Sequence, residues 1–183
     1  MRDLAWFEFE HFLQRAEVGS LLFEGQFVKD GDYNIFRPMG SPVYLSTSEG
    51  LLKMSAHYNG GAISVALVTE PTWESYGEGW ESEESLGLVD EPFGLFGDES
   101  DVVCNRVRCV LDDAPAPEHC TDLIFIEMTF HGPTFDGDRV VLFDPMSTAG
   151  ILVRPNLTLE ARLQMHPRPD TNGPVWEWRR HAE

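Results

Sequence analysis

Three cysteines, Cys104, Cys109 and Cys120, stand beside His119, and thiolates with an imidazole are a donor set that zinc accepts. Their spacing matches no CxxC pair, and the odd separation of Cys104 and Cys109 would turn them to opposite faces of one strand. Buried or half-buried thiols are therefore expected here, and no metal site. Asp30-Gly31-Asp32-Tyr33-Asn34 carries the alternating oxygens of the first half of a calcium loop, but the glycine and the bidentate acid that complete such a loop are missing. It reads as a tight turn, as does Asp136-Gly137-Asp138. The 6 histidines, His11, His57, His119, His131, His166 and His181, are scattered, with no GxSxG, HExxH or phosphate-binding glycine loop near them. Acids gathered near His57 or His131 could shift one another's pKa values, yet nothing in the spacing selects an acid–base pair. The sequence nominates no catalytic residue, no cofactor and no metal.

Chemistry of another kind is concentrated between residues 70 and 101. No Lys or Arg occurs between Lys53 and Arg106, while Glu70, Glu74, Glu78, Glu81, Glu83 and Glu84 are followed by Asp90, Glu91, Asp98, Glu99 and Asp101. Without these eleven, the 31 acids fall to 20 against 13 bases, so the net charge of −18 is largely a local property. Halophilic adaptation would instead spread acids over the whole surface. Trp73, Tyr76, Trp80, Leu86, Phe93 and Phe96 are interleaved with glycines in the same segment, and a merely solvating tail would lack such aromatics. The segment reads as a loop insertion that docks apolar anchors and presents carboxylates.

The first functional reading is a non-enzymatic binding or inhibitory protein that engages a basic protein partner, a nuclease or toxin being the kind expected, through a surface that mimics nucleic acid. Its partner-binding residues would be Trp73, Glu74, Tyr76, Glu78, Trp80, Glu81, Glu83 and Glu84. Charge would steer the encounter and the aromatics would anchor it. Alternative readings are a β-sandwich that binds carbohydrate or another small molecule, as an enzyme or otherwise, with the segment as its lid, and a structural or assembly subunit. Small acidic β-rich bacterial inhibitors, toxin immunity proteins among them, are similar to the chain in charge and size, a likeness of composition that covers no aligned stretch.

Most of the elements that would carry these residues look like strands. Trp6, Phe9, Leu13 and Ala16 recur at helical spacing between Asp3, a candidate N-cap, and Gly19, a candidate C-terminal stop, which predicts one amphipathic helix within residues 1–19. The alternation Phe7-Glu8-Phe9-Glu10 leaves a strand open there. After Gly19, short β-type runs separated by turn residues predict strands at Leu21 to Val28, Val43 to Thr47, Val102 to Leu111, Leu123 to Phe130, Arg139 to Phe143 and Ile151 to Arg154. Leu52, Met54, Ala56 and Tyr58 alternate with polar residues before Asn59-Gly60, and the apolar run Ala62 to Val68 follows, which predicts a hairpin whose second strand is covered on both faces. The clearest alternation, Leu157, Leu159, Ala161, Leu163 and Met165 against Thr158, Glu160, Arg162, Gln164 and His166, predicts a further strand. The expected fold is mainly β, an antiparallel β-sandwich or partly open barrel with one N-terminal helix, in a single domain of 183 residues.

Composition narrows the function classes further. A charge of −18 opposes direct binding of nucleic acid or an anionic membrane. No window approaches the roughly 18 apolar residues of a membrane span, and Met1 to Glu10 lack the apolar run and cleavage site of an export signal. Three cysteines suit a reducing compartment, so the cytoplasm is expected and the sequon at Asn156-Leu157-Thr158 is read as accidental.

Overall fold

The computed structural model describes residues 4–30, 33–57, 61–71, 85–90, 95–96, 101–112, 118–146, 150–165 and 173–181, with the backbone alone for 25–30, 33–41, 85–90 and 146. The chain is mainly β, with 57% of it in strands, and forms a closed six-strand antiparallel barrel with extra strands and an N-terminal helix. In chain order the elements are α1 (Trp6–Arg15), β1 (Glu17–Asp30), β2 (Tyr33–Thr47), β3 (Gly50–Ala56), β4 (Ile63–Val68), β5 (Ser85–Asp90) and β6 (Val102–Leu111), then β7 (Leu123–His131), β8 (Arg139–Met146), β9 (Gly150–Pro155), α2 (Leu159–Met165) and β10 (Val175–Arg179). Hydrogen bonding runs β6-β1-β2-β3-β4-β7, and the β6–β7 ladder closes the ring, so the barrel strands leave no open edge at that seam. Outside the ring, β5 pairs with β1, β10 with β6, and β8 and β9 extend from β7.

Alternation along the strands sends Val43 and Leu45, Leu52 and Met54, Ile63 and Val65, and Ile126, Met128 and Phe130 into one core. The helix α1 adds Phe9, Phe12 and Leu13 to it. Trp6 packs against Trp176 of β10 with ring centroids 4.2 Å apart, which fastens the helix to an outlying strand. The helix is shorter than its sequence pattern suggests. Asp3 lies outside the described residues, the first turn is instead closed by the Glu8 carboxylate accepting from the Ala5 N–H at 3.1 Å, and Gly19 belongs to β1 because Ala16 already turns extended.

The predicted hairpin pairs as expected, Ala56 opposite Ile63 and Leu52 opposite Leu67, although the Asn59-Gly60 turn lies outside the described residues. Its second strand is not covered along its whole length, since Leu67 is 39% exposed. Asp30 pairs with Tyr33, and the Gly31-Asp32 turn expected between them also lies outside the described residues.

The segment expected to be the clearest strand is a helix. From Leu159 to Met165 the chain forms α2, not the strand Leu157 to His166, and the alternation is incidental. Ala, Leu, Glu, Arg, Gln and Met are all strong helix formers, and Thr158 supplies an N-cap by accepting from the Ala161 N–H at 3.3 Å. The buried positions are Leu159 and Arg162, one turn apart, while Leu163 is half-buried and Met165 is 55% exposed. With Leu157 and Leu163, Leu159 packs against Val110, Ile124, Phe125 and Leu142, a small second core on the outer face of the barrel. The helical register predicts that Leu159→Ala costs roughly 2–5 kcal/mol in urea unfolding. Met165→Ala should change stability by no more than about 0.5 kcal/mol, whereas equal losses at both positions would restore the strand.

Candidate functional site

β6 sets up the outer face on which charged side chains meet. Cys104 pairs with Phe130 but Arg106 pairs with Thr129, so Asn105 is an extra residue, a β-bulge that resets the alternation. For this reason Cys104 and Cys109 both point into the barrel, contrary to the opposite faces expected from their separation, and Arg106 and Arg108 both point out. The three thiols are buried, and among the described residues no cluster of three His, Cys, Asp or Glu could hold a metal ion. Burial pushes the Cys104 thiol up to about 12 and raises those of Cys109 and Cys120 as well, which leaves almost no thiolate for nucleophilic or metal chemistry.

The outer face of the β10-β6-β7 sheet is built of rungs. On one rung Glu177, Arg108 and Glu127 lie side by side, and on the next Arg179, Arg106 and Thr129. The Glu127 side chain is fully buried, and each of its oxygens is engaged. Arg108 donates to both oxygens at 2.8 and 2.7 Å, Arg106 donates at 3.3 Å, and the backbone N–H of Leu159 donates at 2.7 Å. Glu160 completes the set by pairing with Arg108, whose guanidinium holds that carboxyl down at about 2. A second buried carboxylate, Asp144 on β8, accepts from Arg162 at 2.7 Å and Arg154 at 3.2 Å. Together these pairs bury Glu127 and most of Arg108 beside the start of α2, while Glu177 at the other end of the rung stays exposed.

The neighbouring rung stays open and forms one wall of a cavity of about 870 Å³. Four of the chain's 13 bases line it: Arg15 from the end of α1, Arg106 from β6, and Arg179 and Arg180 from the end of β10, with Asp138 as the opposing charge. Arg180 is fixed in place, since it donates to the carbonyls of Leu13, Gln14 and Ala16 and so caps the negative end of α1. Arg15 pairs with Glu49 at 3.0 Å and Arg179 with Glu177, both in the exposed range where such pairs contribute about 0–1 kcal/mol. His131 is exposed and meets Asp138 at 3.1 Å, and His57 is exposed too, while His166 lies outside the described residues.

Sequence reasoning misses this cavity, because its bases are scattered at 15, 106, 179 and 180 and disappear within the total of −18. The usable signal was the alternating pair Arg106 and Arg108 on one strand together with Arg179-Arg180 at the end of another.

Of the acidic segment, Trp73, Glu74, Tyr76, Glu78, Trp80, Glu81, Glu83 and Glu84 all lie outside the described residues. Its remainder is not simply a loop. Ser85 to Asp90 form β5 along β1, and Leu95 and Phe96 are buried in the main core, with the Phe96 ring edge-on to Phe130 at 4.9 Å. Arg139 donates to the Leu95 carbonyl and holds this second anchor. No helix among the described residues is long and apolar enough to cross a membrane. No family model, curated protein or solved structure matches the chain.

The burial of the thiols predicts that a disulfide-exchange reagent at mildly alkaline pH labels none of the three in the folded protein within minutes and all of them in denaturant. Rapid labelling of Cys104 in the native state would mean that the bulge at Asn105 does not turn it inward.

Proposed function

We propose that the protein is a non-enzymatic binding or inhibitory protein that engages a basic protein partner through its acidic, aromatic segment. The observation that carries this reading is eleven carboxylates without a base in residues 70–101, fastened to the barrel by β5 on β1 and by the buried Leu95 and Phe96. In sequence, residues 72–84 lie between β4 and β5. A partner that itself handles nucleic acid, such as a nuclease or a toxin, has the basic groove that such a stretch would fill.

Exposed charges contribute only about 0–1 kcal/mol each to holding a complex, so Glu81, Glu83 and Glu84 act mainly on encounter and Trp73, Tyr76 and Trp80 are the anchors. The test begins with partners recovered on the wild-type protein from a lysate of its source cells and identified by mass spectrometry. Basic proteins are expected. Glu81, Glu83 and Glu84 changed together to Gln should then slow association with them and flatten its salt dependence, and Trp80→Ala should mainly speed dissociation. Equal rates and equal salt dependence for the wild type and both folded variants would overturn the reading.

A further inference from the structure

The arginine-lined cavity is independent of the acidic segment, since none of its lining residues comes from positions 70–101. We propose that it is a binding site for a small phosphate monoester dianion, gripped chiefly by Arg106 and Arg179 with Thr129 and Arg15 in support.

Two features of the cavity wall point to a bound anion. Arg106 and Arg179 are direct cross-strand partners on the same outer face of β6 and β10, and like charges directly opposite one another destabilise a sheet. Each arginine has a carboxylate nearby, Glu127 for Arg106 and Glu177 for Arg179, but no acid stands opposite either on their own rung, unlike the next rung with Glu177 opposite Arg108. Secondly, the Nε of Arg106 is buried and has no hydrogen-bond partner, although its terminal nitrogen reaches Glu127 at 3.3 Å and Thr129 at 3.5 Å. The Arg106 side chain is 31% exposed and lines the cavity with its outer part, so an anion bound there would lie beside this buried N–H.

The chemistry of the ligand follows from the donors. A guanidinium fork matches two oxygens of one phosphate, and two forks on adjacent strands match the three oxygens and the double charge of a monoester. A carboxylate, with one charge and two oxygens, would satisfy one fork and leave the other repelled. The Thr129 hydroxyl and the amide of Asn105, at the bulge, add neutral donors at the same wall. Arg15 can be recruited, because its pair with Glu49 is 54% and 36% exposed and easily exchanged. Asp138, which also lines the cavity, suits a hydroxyl on the esterified part of the ligand.

Size and charge restrict the ligand to small molecules. A volume of about 870 Å³ falls in the usual range for small-molecule sites. An extended polyanion would have to leave this opening across a protein of charge −18, whereas a single phosphate ends where the arginines end.

The direct experiment is calorimetric titration of the full chain at neutral pH and low salt with inorganic phosphate, with glycerol 3-phosphate, and with a single-stranded oligonucleotide. Saturable binding of the monoester is expected, tighter than that of inorganic phosphate and of the oligonucleotide. Arg179→Gln, at an exposed side chain on the outlying strand, should weaken it by at least about tenfold while leaving the circular dichroism unchanged. Glu177→Gln alters the same strand but removes the competing carboxylate, so it should bind as tightly as the wild type or more tightly. No saturable binding to folded protein at millimolar monoester would overturn the proposal. Equal binding by Arg179→Gln would do so as well, and so would an equal loss in Glu177→Gln, which would reveal a strand effect and not a charge effect. Tighter binding of the oligonucleotide would replace the small ligand with a polyanion.

Discussion

Glu127 lies on the face of β7 that points away from the barrel interior, where a strand would ordinarily meet water, and its side chain is nevertheless fully buried. Removing a carboxylate from water costs several kcal/mol unless donors surround it. The surrounding structure is arranged to supply them. Two guanidinium groups come from β6 and one backbone N–H comes from the first residue of α2, so the same carboxylate orients Arg106 and Arg108 and fixes where the helix begins. Leu159 is thereby set down on Phe125 and Leu142, and the chain after β9 is folded over the outer sheet face.

Several strands of the barrel were legible in the sequence because one face lies in the core and one outside, which period-two alternation records, but Tyr33 to Pro42 of β2 was not read as strand. Val102 to Leu111 is read with the bounds that the structure has, and Leu123 to Phe130 to within one residue. What alternation could not record is a bulge. At Asn105 one added residue moves Arg106 and Arg108 outward, and so brings Arg106 to the wall of the cavity. The error at Leu157 to His166 has a related cause. In seven helical residues of strong helix formers the periods of two and 3.6 produce similar apolar spacings, and the decision is made by partners distant in sequence, Glu127 at the first turn and Asp144 at Arg162.

The acidic segment was legible as composition, and its anchors were not. Nothing local distinguishes Ser85 to Asp90 as a strand, since its pairing partner is β1 more than fifty residues earlier, and only the closed core shows why Leu95 and Phe96 are apolar. The charge distribution that results is uneven in two senses. Carboxylates accumulate in a stretch without bases, while most of the bases are drawn into the buried pairs of Glu127 and Asp144 or into the wall beside α1. An acidic protein can in this way keep a small cationic concavity despite a charge of −18.

The organising role of Glu127 is open to a double-mutant cycle in urea, with Glu127→Gln, Arg108→Met and the double variant compared with the wild type. A buried, bidentate pair on which the outer face depends should show a coupling of roughly 1–3 kcal/mol, because either single change leaves the other group desolvated. If instead the two losses add to within about 0.5 kcal/mol, the pair is incidental and α2 is held by its apolar contacts alone.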